Sequence, residues 1–227
     1  MNLITGINSG LGKYLYKNFP NSVGLNRSTN FEAIKHIKYD TIIHCAFNKE
    51  TQISDYKKYL NDNIFLTQRL KELKYKKFIY ISSVDVYQKN KNIYSYFKIF
   101  SETLMDKEDL ILRCPMILGN TMKPNHVTKL LNNVKYIGLS GESKFNYILM
   151  QDLVDFLQSK DYLKHSGVID FVSNGSLKLK KLKQILNSKT KLGDYIYNNS
   201  LDYLNPIFIL NKKYDDSSLN KIKTYFK

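Results

Sequence analysis

Three side chains in the middle of the chain have the types and the order needed for proton transfer to or from an alcohol. Ser83 ends a β-rich run, and Tyr94 and Lys98 follow it, four residues apart. On a helix, residues four apart share one face. A phenol with a reference pKa near about 10 is a poor base at neutral pH, and a nearby ammonium favours its ionised form. The sequence therefore predicts Tyr94 as acid/base, Lys98 as its electrostatic support and Ser83 as a hydrogen-bond partner of the reacting oxygen.

The spacing of Tyr94 and Lys98 alone is weak evidence, because one Tyr–Lys pair four residues apart is expected by chance among 18 Tyr and 32 Lys. A glycine-rich loop near the start of the chain strengthens the prediction. The segment 5–12 reads TGINSGLG and joins a strand-like run to a helical one. Glycines permit a tight turn and close backbone approach, and a helix N-terminus supplies N–H groups for a pyrophosphate. We expect a dinucleotide to contact Gly6, Asn8, Ser9, Gly10, Leu11 and Gly12.

The end of the second strand-like run bears on which dinucleotide is bound. It reads Leu25-Asn26-Arg27-Ser28, with no acid to bond the ribose hydroxyls that distinguish NAD. Asn26 and Arg27 are predicted cofactor contacts, and Arg27 is suited to clamp a 2′-phosphate. The sequence thus favours NADP(H), with NAD(H) as the alternative, and a plain surface arginine in a turn remains open.

The pattern of short β-rich runs alternating with helical ones is typical of a parallel sheet covered on both faces. We predict an α/β fold, a Rossmann-like doubly wound parallel sheet with a small, shortened C-terminal substrate lobe. Residues 1–160 would form the NAD(P)-binding domain, and 161–227 a remaining strand and the substrate-binding portion, in one compact unit. The predicted strands are 2–5, 22–25, 41–46, 77–82, 110–114 and 168–172, and the predicted helices 13–19, 31–37, 54–74, 94–105, 178–187 and 217–226.

Composition limits the other classes of function. No run approaches the ~20 apolar residues of a membrane span. Because Met1 leads directly into the first apolar run, we expect no signal peptide. Two cysteines in apolar segments are expected as buried free thiols in a reduced, cytoplasmic protein. The net charge of +15 rests on lysines spread along the chain, so we expect a solvated surface rather than a nucleic-acid interface. A functional anion field stays open.

Seven stretches between about residues 3 and 157 resemble one known superfamily. They are TGINSGLG, IIHCAF, the helix with Asn63, FIYISSVDVY, YSYFKIFSE, ILRCPMILG and FNYILMQDLVDFL. Together they resemble the extended branch of the short-chain dehydrogenase/reductases, which contains sugar-nucleotide epimerases, dehydratases and reductases. The glycine spacing is that of the superfamily's other, classical branch.

The resemblance implies roles for individual residues. Tyr94 would be the acid/base and Ser83 the hydroxyl partner, while Lys98 would bond the nicotinamide ribose. Asn63 would lie near the strand ends beneath the cofactor and Pro115 beside the nicotinamide. The remaining residues implied as contacts are Cys45 and Ala46 for the cofactor and Phe47, Ser83, Val84, Asp85, Tyr94 and Met116 for the substrate.

Departures from the family pattern reduce the number of activities that we expect for this chain. Val84 and Asp85 stand where sugar dehydratases carry an Asp-Glu pair, and Val84 has no proton to give, which argues against a 4,6-dehydratase. A βα unit is trimmed after the second strand, and the C-terminal part is short. The expected activity is reduction or epimerisation of a keto group on a nucleotide-activated deoxysugar, in cell-surface polysaccharide biosynthesis. The alternative is a non-catalytic dinucleotide sensor or scaffold of the same fold.

Several other expectations concern single residues and assembly. His44 is predicted to be a packed histidine, and His126 and His165 surface residues, with no metal site. Asp152 is predicted to cap a helix. The helices 54–74 and 94–105 are expected to form a homodimer interface, as the same helices often do in the family.

Overall fold

The computed structural model describes residues 1–50, 55–198 and 217–226. The strands are β1 (Asn2–Thr5), β2 (Ser22–Leu25), β3 (Lys38–His44), β4 (Lys74–Ser83), β5 (Leu110–Cys114), β6 (Met116–Leu118), β7 (Tyr136–Leu139), β8 (Lys144–Phe145), β9 (Tyr147–Leu149), β10 (Gly167–Asp170), β11 (Leu177–Lys178) and β12 (Lys191–Tyr195). The α-helices are α1 (Gly10–Asn18), α2 (Phe31–Ile34), α3 (Tyr56–Leu60), α4 (Leu66–Lys71), α5 (Ile93–Glu102), α6 (His126–Leu131), α7 (Met150–Gln158), α8 (Leu179–Ile185) and α9 (Ser218–Tyr225).

A six-stranded parallel sheet forms the centre, in the order β10-β5-β4-β3-β1-β2. The strands β1 to β5 lie in the spatial order β2-β1-β3-β4-β5, which is the flavodoxin-like form of the doubly wound sheet. In such sheets ligands bind outside the carboxyl ends of the strands, where the strand order reverses, which here is between β1 and β3. The predicted fold class is therefore confirmed, with β2 at one edge of the sheet as the trimmed βα unit requires.

Successive residues of the strands face opposite sides of the sheet and supply two apolar cores. Ile4 and Ile43 pack on the side of α1 and α7, whereas Leu3 and Ile42 pack on the side of α2 and α4. All four side chains are at most 1% exposed. Burial on both faces explains why these strands are nearly continuous apolar runs.

The predicted helix 54–74 is interrupted in the structure. Its first residue, Ser54, lies outside the described residues, and α3 and α4 are joined through a π-helical segment, Asn61–Phe65. The helix ends at Lys71, and Lys74 already belongs to β4. Single π-helical turns inside helices are rare and are frequent at functional sites.

A third apolar cluster joins β6–β9, β11, β12, α6, α8 and α9, which together are called the C-terminal lobe below. Its buried residues include Val127 and Tyr147 on one side of position 160 and Leu179 and Ile222 on the other. The division into parts at residue 160 stays a prediction, and the residues of this cluster come from both sides of it. Beyond residue 177, the sequence predicted the helices that became α8 and α9 but not β12.

One of the two residue predictions made for this part of the chain is wrong. His126 is buried, stacks on Phe145 at 4.0 Å between ring centres and has its Nε2 2.8 Å from the Tyr147 hydroxyl. Asp152 caps α7 as predicted, although from its third residue, because its carboxylate accepts the backbone N–H of the N-cap residue Leu149 at 2.8 Å, as in a capping box. The rings that bury His126 come from β8 and β9, which a local pattern does not reveal.

The buried ion pair between Lys221 and Asp152 fastens α9 to α7, with Nζ 2.6 Å from Oδ1. We expect Lys221→Met to lower the free energy of unfolding by about 3 kcal/mol, because it leaves a buried carboxylate without its cation. Urea denaturation followed by circular dichroism measures the loss. Lys223→Met, at an exposed lysine of the same helix, is the control and should change stability by less than about 0.5 kcal/mol. Equal losses in the two variants would contradict the assignment.

Candidate active site

Ser83 and Tyr94 are brought together at the carboxyl end of β4. Ser83 is the last residue of this strand, and its Oγ accepts the backbone N–H of Asp85 at 3.2 Å, which begins a short 3₁₀ turn. Asn92 then caps α5 by accepting the N–H of Ser95 at 3.0 Å, so that Tyr94 is the second residue of the helix. The chain thus turns back to place the phenol next to the serine hydroxyl, within hydrogen-bonding reach.

Lys98 lies one turn further along α5 and is almost completely buried, at 4% exposure. Its Nζ donates to the backbone oxygen of Ile81 at 2.7 Å. The same ammonium lies 4.0 Å from the ring centre of Phe47, 4.7 Å from that of Tyr80 and 5.9 Å from that of Tyr94. The predicted common face of Tyr94 and Lys98 is therefore present, and two further aromatic rings complete it.

The electrostatics of this site differ from the sequence argument. Burial lowers the pKa of Lys98 to about 7, and the charge of Lys49 adds to the fall. Burial and the carboxylate of Asp85 raise the pKa of Tyr94, and the hydrogen bond with Ser83 opposes that rise. The expectation of a lowered pKa for Tyr94 is not met, because burial has the largest effect on the phenol and raises its pKa. The phenol is thus held in its proton-donating form.

The glycine loop has the geometry of a phosphate cradle. Gly6 and Gly10 have φ angles of +74° and +59°, which favour glycine. A Cβ on Gly12 would lie 2.5 Å from the backbone oxygens of Thr5 and Gly6, so this glycine permits α1 to pack against β1. Ser9 stands at the N-cap of α1 without capping it through its side chain, and the first turn contains no acidic residue. An uncapped helix N-terminus of this kind fits an anion.

A second loop crosses the start of α1. The N–H of Gly10 donates to the backbone oxygen of Thr121 at 2.9 Å, and the Thr121 hydroxyl donates to the oxygen of Gly10 at 2.8 Å. Of the predicted phosphate contacts, Gly10 is therefore bonded within the protein. Leu11 is buried, and Asn8 accepts from the amide of Asn26 at 3.2 Å.

The end of β2 lies beside this loop, since the N–H of Gly6 donates to Leu25 O at 3.0 Å. Arg27 projects from it with its side chain 73% exposed and contacts Asp62 of the π-helical segment, with Nη2 to Oδ2 at 2.7 Å. The glycine cradle and this guanidinium together fit a dinucleotide, with Arg27 able to turn toward a phosphate. Its predicted role as a 2′-phosphate clamp stays a prediction.

Asn63 is completely buried and holds the loop that follows β3. Its Oδ1 accepts the N–H of Asn48 at 2.6 Å, and its Nδ2 donates to the oxygen of the same residue at 3.3 Å. Both polar atoms are thus engaged by backbone. The structure gives Asn63 a loop-fixing contact, and its implied place beneath the cofactor stays a prediction. In the same loop Cys45 is half-buried rather than fully buried.

The predicted substrate residues divide into two groups. Phe47 meets the ring of Tyr94 edge-on at 5.2 Å, and Asp85 lies close enough to raise its pKa. Val84, in contrast, is buried against Val172, which fits packing better than the predicted contact with substrate. Pro115 separates β5 from β6, directly after the strand that pairs with Ser83.

Met116 follows Pro115 and lines an open cleft of about 460 Å³ in the C-terminal lobe. The other residues that line this cleft are Asn125, His126, Lys129, Tyr136, Ile137, Gly138, Leu139 and Tyr195. The cleft therefore begins two residues beyond Cys114, the neighbour of Ser83 across the sheet.

Tyr197 is a site residue that the sequence did not reveal. It follows β12, and its hydroxyl donates to the Asp85 carboxylate across 112 residues of chain. Its ring is stacked on Phe145, 4.6 Å between centres and 11° between planes. No local motif marks it among 18 tyrosines. The C-terminal lobe thus reaches the candidate catalytic residues through this phenol.

A network of charged and hydroxyl side chains connects α5 with β5 and β10. Arg113 of β5 bonds Glu102 through Nη2 at 2.5 Å, and its Nη1 donates to the Tyr87 hydroxyl at 2.6 Å. Tyr87 in turn donates to Asp170 of β10 at 2.8 Å. This network ties α5 to two neighbouring strands and so fixes the helix that carries Tyr94 and Lys98.

Two features are not found in the part of the chain that the structure describes. Over residues 1–50, 55–198 and 217–226, histidine, cysteine and carboxylate side chains do not gather in groups of three or more that could hold a metal ion. Within the same ranges, no helix combines the length and the apolar character of a membrane span.

The chain matches neither a protein-family profile nor a curated protein sequence. Solved structures, in contrast, match it along nearly its whole length. MoeE5, solved with UDP-glucuronic acid and NAD, has a TM-score of 0.72 at 15% identity, covering 98% of this chain and 97% of that one. UDP-N-acetylglucosamine 4-epimerase from Methanobrevibacter ruminantium has 0.72 at 16% identity, covering 99% and 97%.

The solved structure of a reductase also matches this chain along nearly its whole length. dTDP-4-dehydrorhamnose reductase from Bacillus anthracis, solved with NADP, has a TM-score of 0.71 at 18% identity, covering 99% of this chain and 98% of that one. At these identities the likeness establishes the fold. The chain has the fold of the enzymes that its motifs resemble.

The depressed pKa of Lys98 has a consequence for stability. The unfolded chain keeps this proton up to about pH 10.5, and the folded chain loses it near 7. Between these values the folded state binds fewer protons, so the free energy of unfolding rises with pH, and the cost of burying Lys98 is complete below pH 7. We expect Lys98→Met to be more stable than wild type by roughly 2 kcal/mol at about pH 6, with the difference shrinking toward about pH 10.

Urea denaturation at the two pH values tests this expectation. Lys13→Met, at an exposed lysine of α1, is the control and should show the same stability difference at both. A Lys98→Met variant that is less stable than wild type at low pH would contradict the burial argument.

Proposed function

We propose that this protein is an NAD(P)-dependent short-chain dehydrogenase/reductase that reduces or epimerises a keto group on a nucleotide-activated sugar. The observation that carries the proposal is one continuous series of contacts. A Cβ on Gly6 would lie 3.1 Å from the backbone of Ala46, and the next residue, Phe47, touches both Tyr94 and Lys98. A phosphate cradle and a proton-transfer set therefore meet at one edge of the sheet, where open α/β sheets bind ligands.

The hydroxyl groups of Ser83 and Tyr94 are placed to contact the same substrate oxygen. Ser83 Oγ accepts the N–H of Asp85 and shares a hydrogen bond with the Tyr94 phenol, so a substrate oxygen placed between the two hydroxyls would take over the Ser83 hydrogen. Tyr94, kept protonated by burial, delivers its proton to the carbonyl oxygen while the carbonyl carbon accepts a hydride. In the reverse direction only the ionised phenol of Tyr94 could take the proton from the alcohol. A bound dinucleotide would supply or accept the hydride, and the positive charge of its oxidised ring would favour the ionised phenol.

The glycine loop and the N–H groups at the start of α1, except that of Gly10 which is bonded to Thr121, are the groups that would hold the pyrophosphate, and Lys98 would hold the nicotinamide ribose. NADP(H) is the proposed preference, because Arg27 ends β2 where an NAD-binding protein usually places an acid. The neighbours with NAD and with NADP support either cofactor.

The open cleft beside Met116 is the proposed place for the nucleotide sugar. It offers an amide, a lysine and two tyrosines next to apolar walls, which suits a ligand with a base and charged phosphates. Val84 supplies no proton, which argues against dehydration. Residues 161–227 would complete the substrate-binding portion. The proposed setting is cytoplasmic polysaccharide biosynthesis, consistent with two free cysteines and with neighbours that bind UDP-sugars.

Exposed aromatic side chains on α3, the π-helical segment and α5 support a homodimer. Tyr56 is 63% exposed, Phe65 45%, Tyr96 59% and Phe100 52%. Large apolar groups gathered on neighbouring helices are typical of an interaction surface. We propose that two copies associate through these helices.

Replacing Tyr94 by Phe tests the catalytic assignment. The variant keeps the ring and loses the proton, so turnover should fall by about 10²-fold or more while cofactor affinity stays within about twofold. Reduction is followed by NADPH absorbance with a panel of UDP- and dTDP-activated keto sugars, epimerisation by chromatography of UDP- and dTDP-sugars after incubation with cofactor, and affinity by NADPH fluorescence. Tyr96→Phe, at an exposed tyrosine of the same helix, is the control and should keep wild-type rates.

Retained turnover in Tyr94→Phe would contradict the role of Tyr94. If wild type binds NADPH or NADH but exchanges hydride with no sugar of the panel, the enzymatic proposal fails and the non-catalytic sensor takes its place.

Replacing Phe100 by Glu tests the dimer. A charge in the centre of an apolar interface is costly to bury, so the variant should sediment as a monomer while wild type sediments as a dimer. Tyr136→Glu places the same charge at an exposed aromatic of the C-terminal lobe and should leave the dimer intact. A monomeric wild type would refute the assembly.

A further inference from the structure

Beside the proposed cofactor site, Arg27 forms an ion pair with Asp62. The two residues are 35 positions apart, and Nη2 lies 2.7 Å from Oδ2. The sequence places no acid at the end of β2, but the fold brings one there from the π-helical segment. The pair is not part of either apolar core.

Asp62 is fixed rather than freely mobile. Its side chain is 18% exposed, and the same Oδ2 accepts the amide of Asn48 at 3.1 Å. Asn48 is held in turn by Asn63, whose Oδ1 accepts its N–H. The carboxylate therefore has a set position, whereas the guanidinium that it meets is 73% exposed and free to turn toward another anion.

The pair lies beside the phosphate cradle. Asn26, the neighbour of Arg27, donates to Asn8 of the glycine loop, and the N–H of Gly6 donates to Leu25 at the end of β2. A dinucleotide with its pyrophosphate in this loop would bring its adenosine ribose to the end of β2. The carbon that carries a hydroxyl in NAD and a phosphate in NADP then faces Arg27 and Asp62 together.

We propose that Asp62 is a specificity-determining residue, which reduces the preference for NADP(H) that Arg27 would otherwise give. The inference rests on the proposed dinucleotide function. Asp62 acts in two ways, because its negative charge repels a 2′-phosphate and its ion pair occupies the guanidinium that would bind that phosphate. A ribose hydroxyl meets neither penalty. The protein would accordingly accept both dinucleotides, although its β2 end lacks an acid.

The ratio of the affinities for NADPH and NADH isolates the effect of Asp62 on cofactor preference. NADPH and NADH share the pyrophosphate, adenine and nicotinamide, so that any general change in charge affects both alike, and only the 2′-phosphate differs. We expect Asp62→Asn to tighten NADPH relative to NADH by roughly three- to tenfold at low salt, and by less at high salt, where the charges are screened. Arg27→Gln should weaken NADPH by about tenfold and leave NADH within about twofold.

The experiment measures dissociation constants of NADPH and NADH by cofactor fluorescence at two salt concentrations, without any sugar. Asp40→Asn is the matched control, because it removes the same charge from a carboxylate that pairs with Lys76 at 2.6 Å near the amino ends of β3 and β4, whereas the proposed cofactor site lies at the carboxyl ends. Asn at position 62 retains an oxygen that can accept from Asn48, so the loop contact survives, and thermal unfolding confirms the folded state.

A rise in the NADPH preference of Asp62→Asn with none in Asp40→Asn supports the proposal. Equal ratios in wild type, Asp62→Asn and Asp40→Asn overturn it while leaving dinucleotide binding intact. A folded wild type that binds neither NADPH nor NADH refutes the proposed function itself, and the inference falls with it.

Discussion

The hydroxyl of Thr5 holds the site together at the point where β1 and β3 stop pairing. Its Oγ accepts the N–H groups of Cys45 at 3.0 Å and Ala46 at 2.9 Å, which have left the ladder. On its other side lies Nδ1 of His44, at 2.8 Å. Without these bonds two backbone donors would lose their partners, and the loop that carries Phe47 to Tyr94 would lose its anchor.

The direction of this chain of hydrogen bonds follows from the donors available. Thr67 donates its hydrogen to Asn63 O at 2.7 Å, so it accepts from Nε2 of His44, 2.9 Å away. Because burial lowers the pKa of His44 to about 3, the ring is neutral and its Nδ1 accepts the Thr5 hydrogen. One neutral histidine thus joins the glycine-loop strand to the helix of Asn63. The packed role expected for His44 is confirmed and acquires a specific task.

Patterns that depend on neighbours in sequence predicted much of this molecule. Apolar runs, a glycine loop and the Tyr–Lys spacing predicted the parallel sheet and the common face of Tyr94 and Lys98, because strand periodicity and helix geometry are local properties. Contacts between distant elements were not predictable in this way. Tyr197 on Asp85, the burial of His126 and the depressed pKa of Lys98 all arise from tertiary packing, for which no single stretch carries a signal.

The π-helical segment between α3 and α4 gives the helix one residue more than regular α-helical winding would take. Because the wide turn takes up the extra residue, deleting one residue from Asn61–Phe65 would let the helix wind regularly while α3 and α4 keep their faces, but the residues inside the turn would change direction. The contacts of Asp62 with Arg27 and of Asn63 with Asn48 would then be lost, whereas the edge-on contact of Tyr59 with Phe97, 4.7 Å between ring centres, would remain. The length of this segment is therefore under tighter constraint than its composition. Chains of this type should tolerate substitutions there more readily than insertions or deletions.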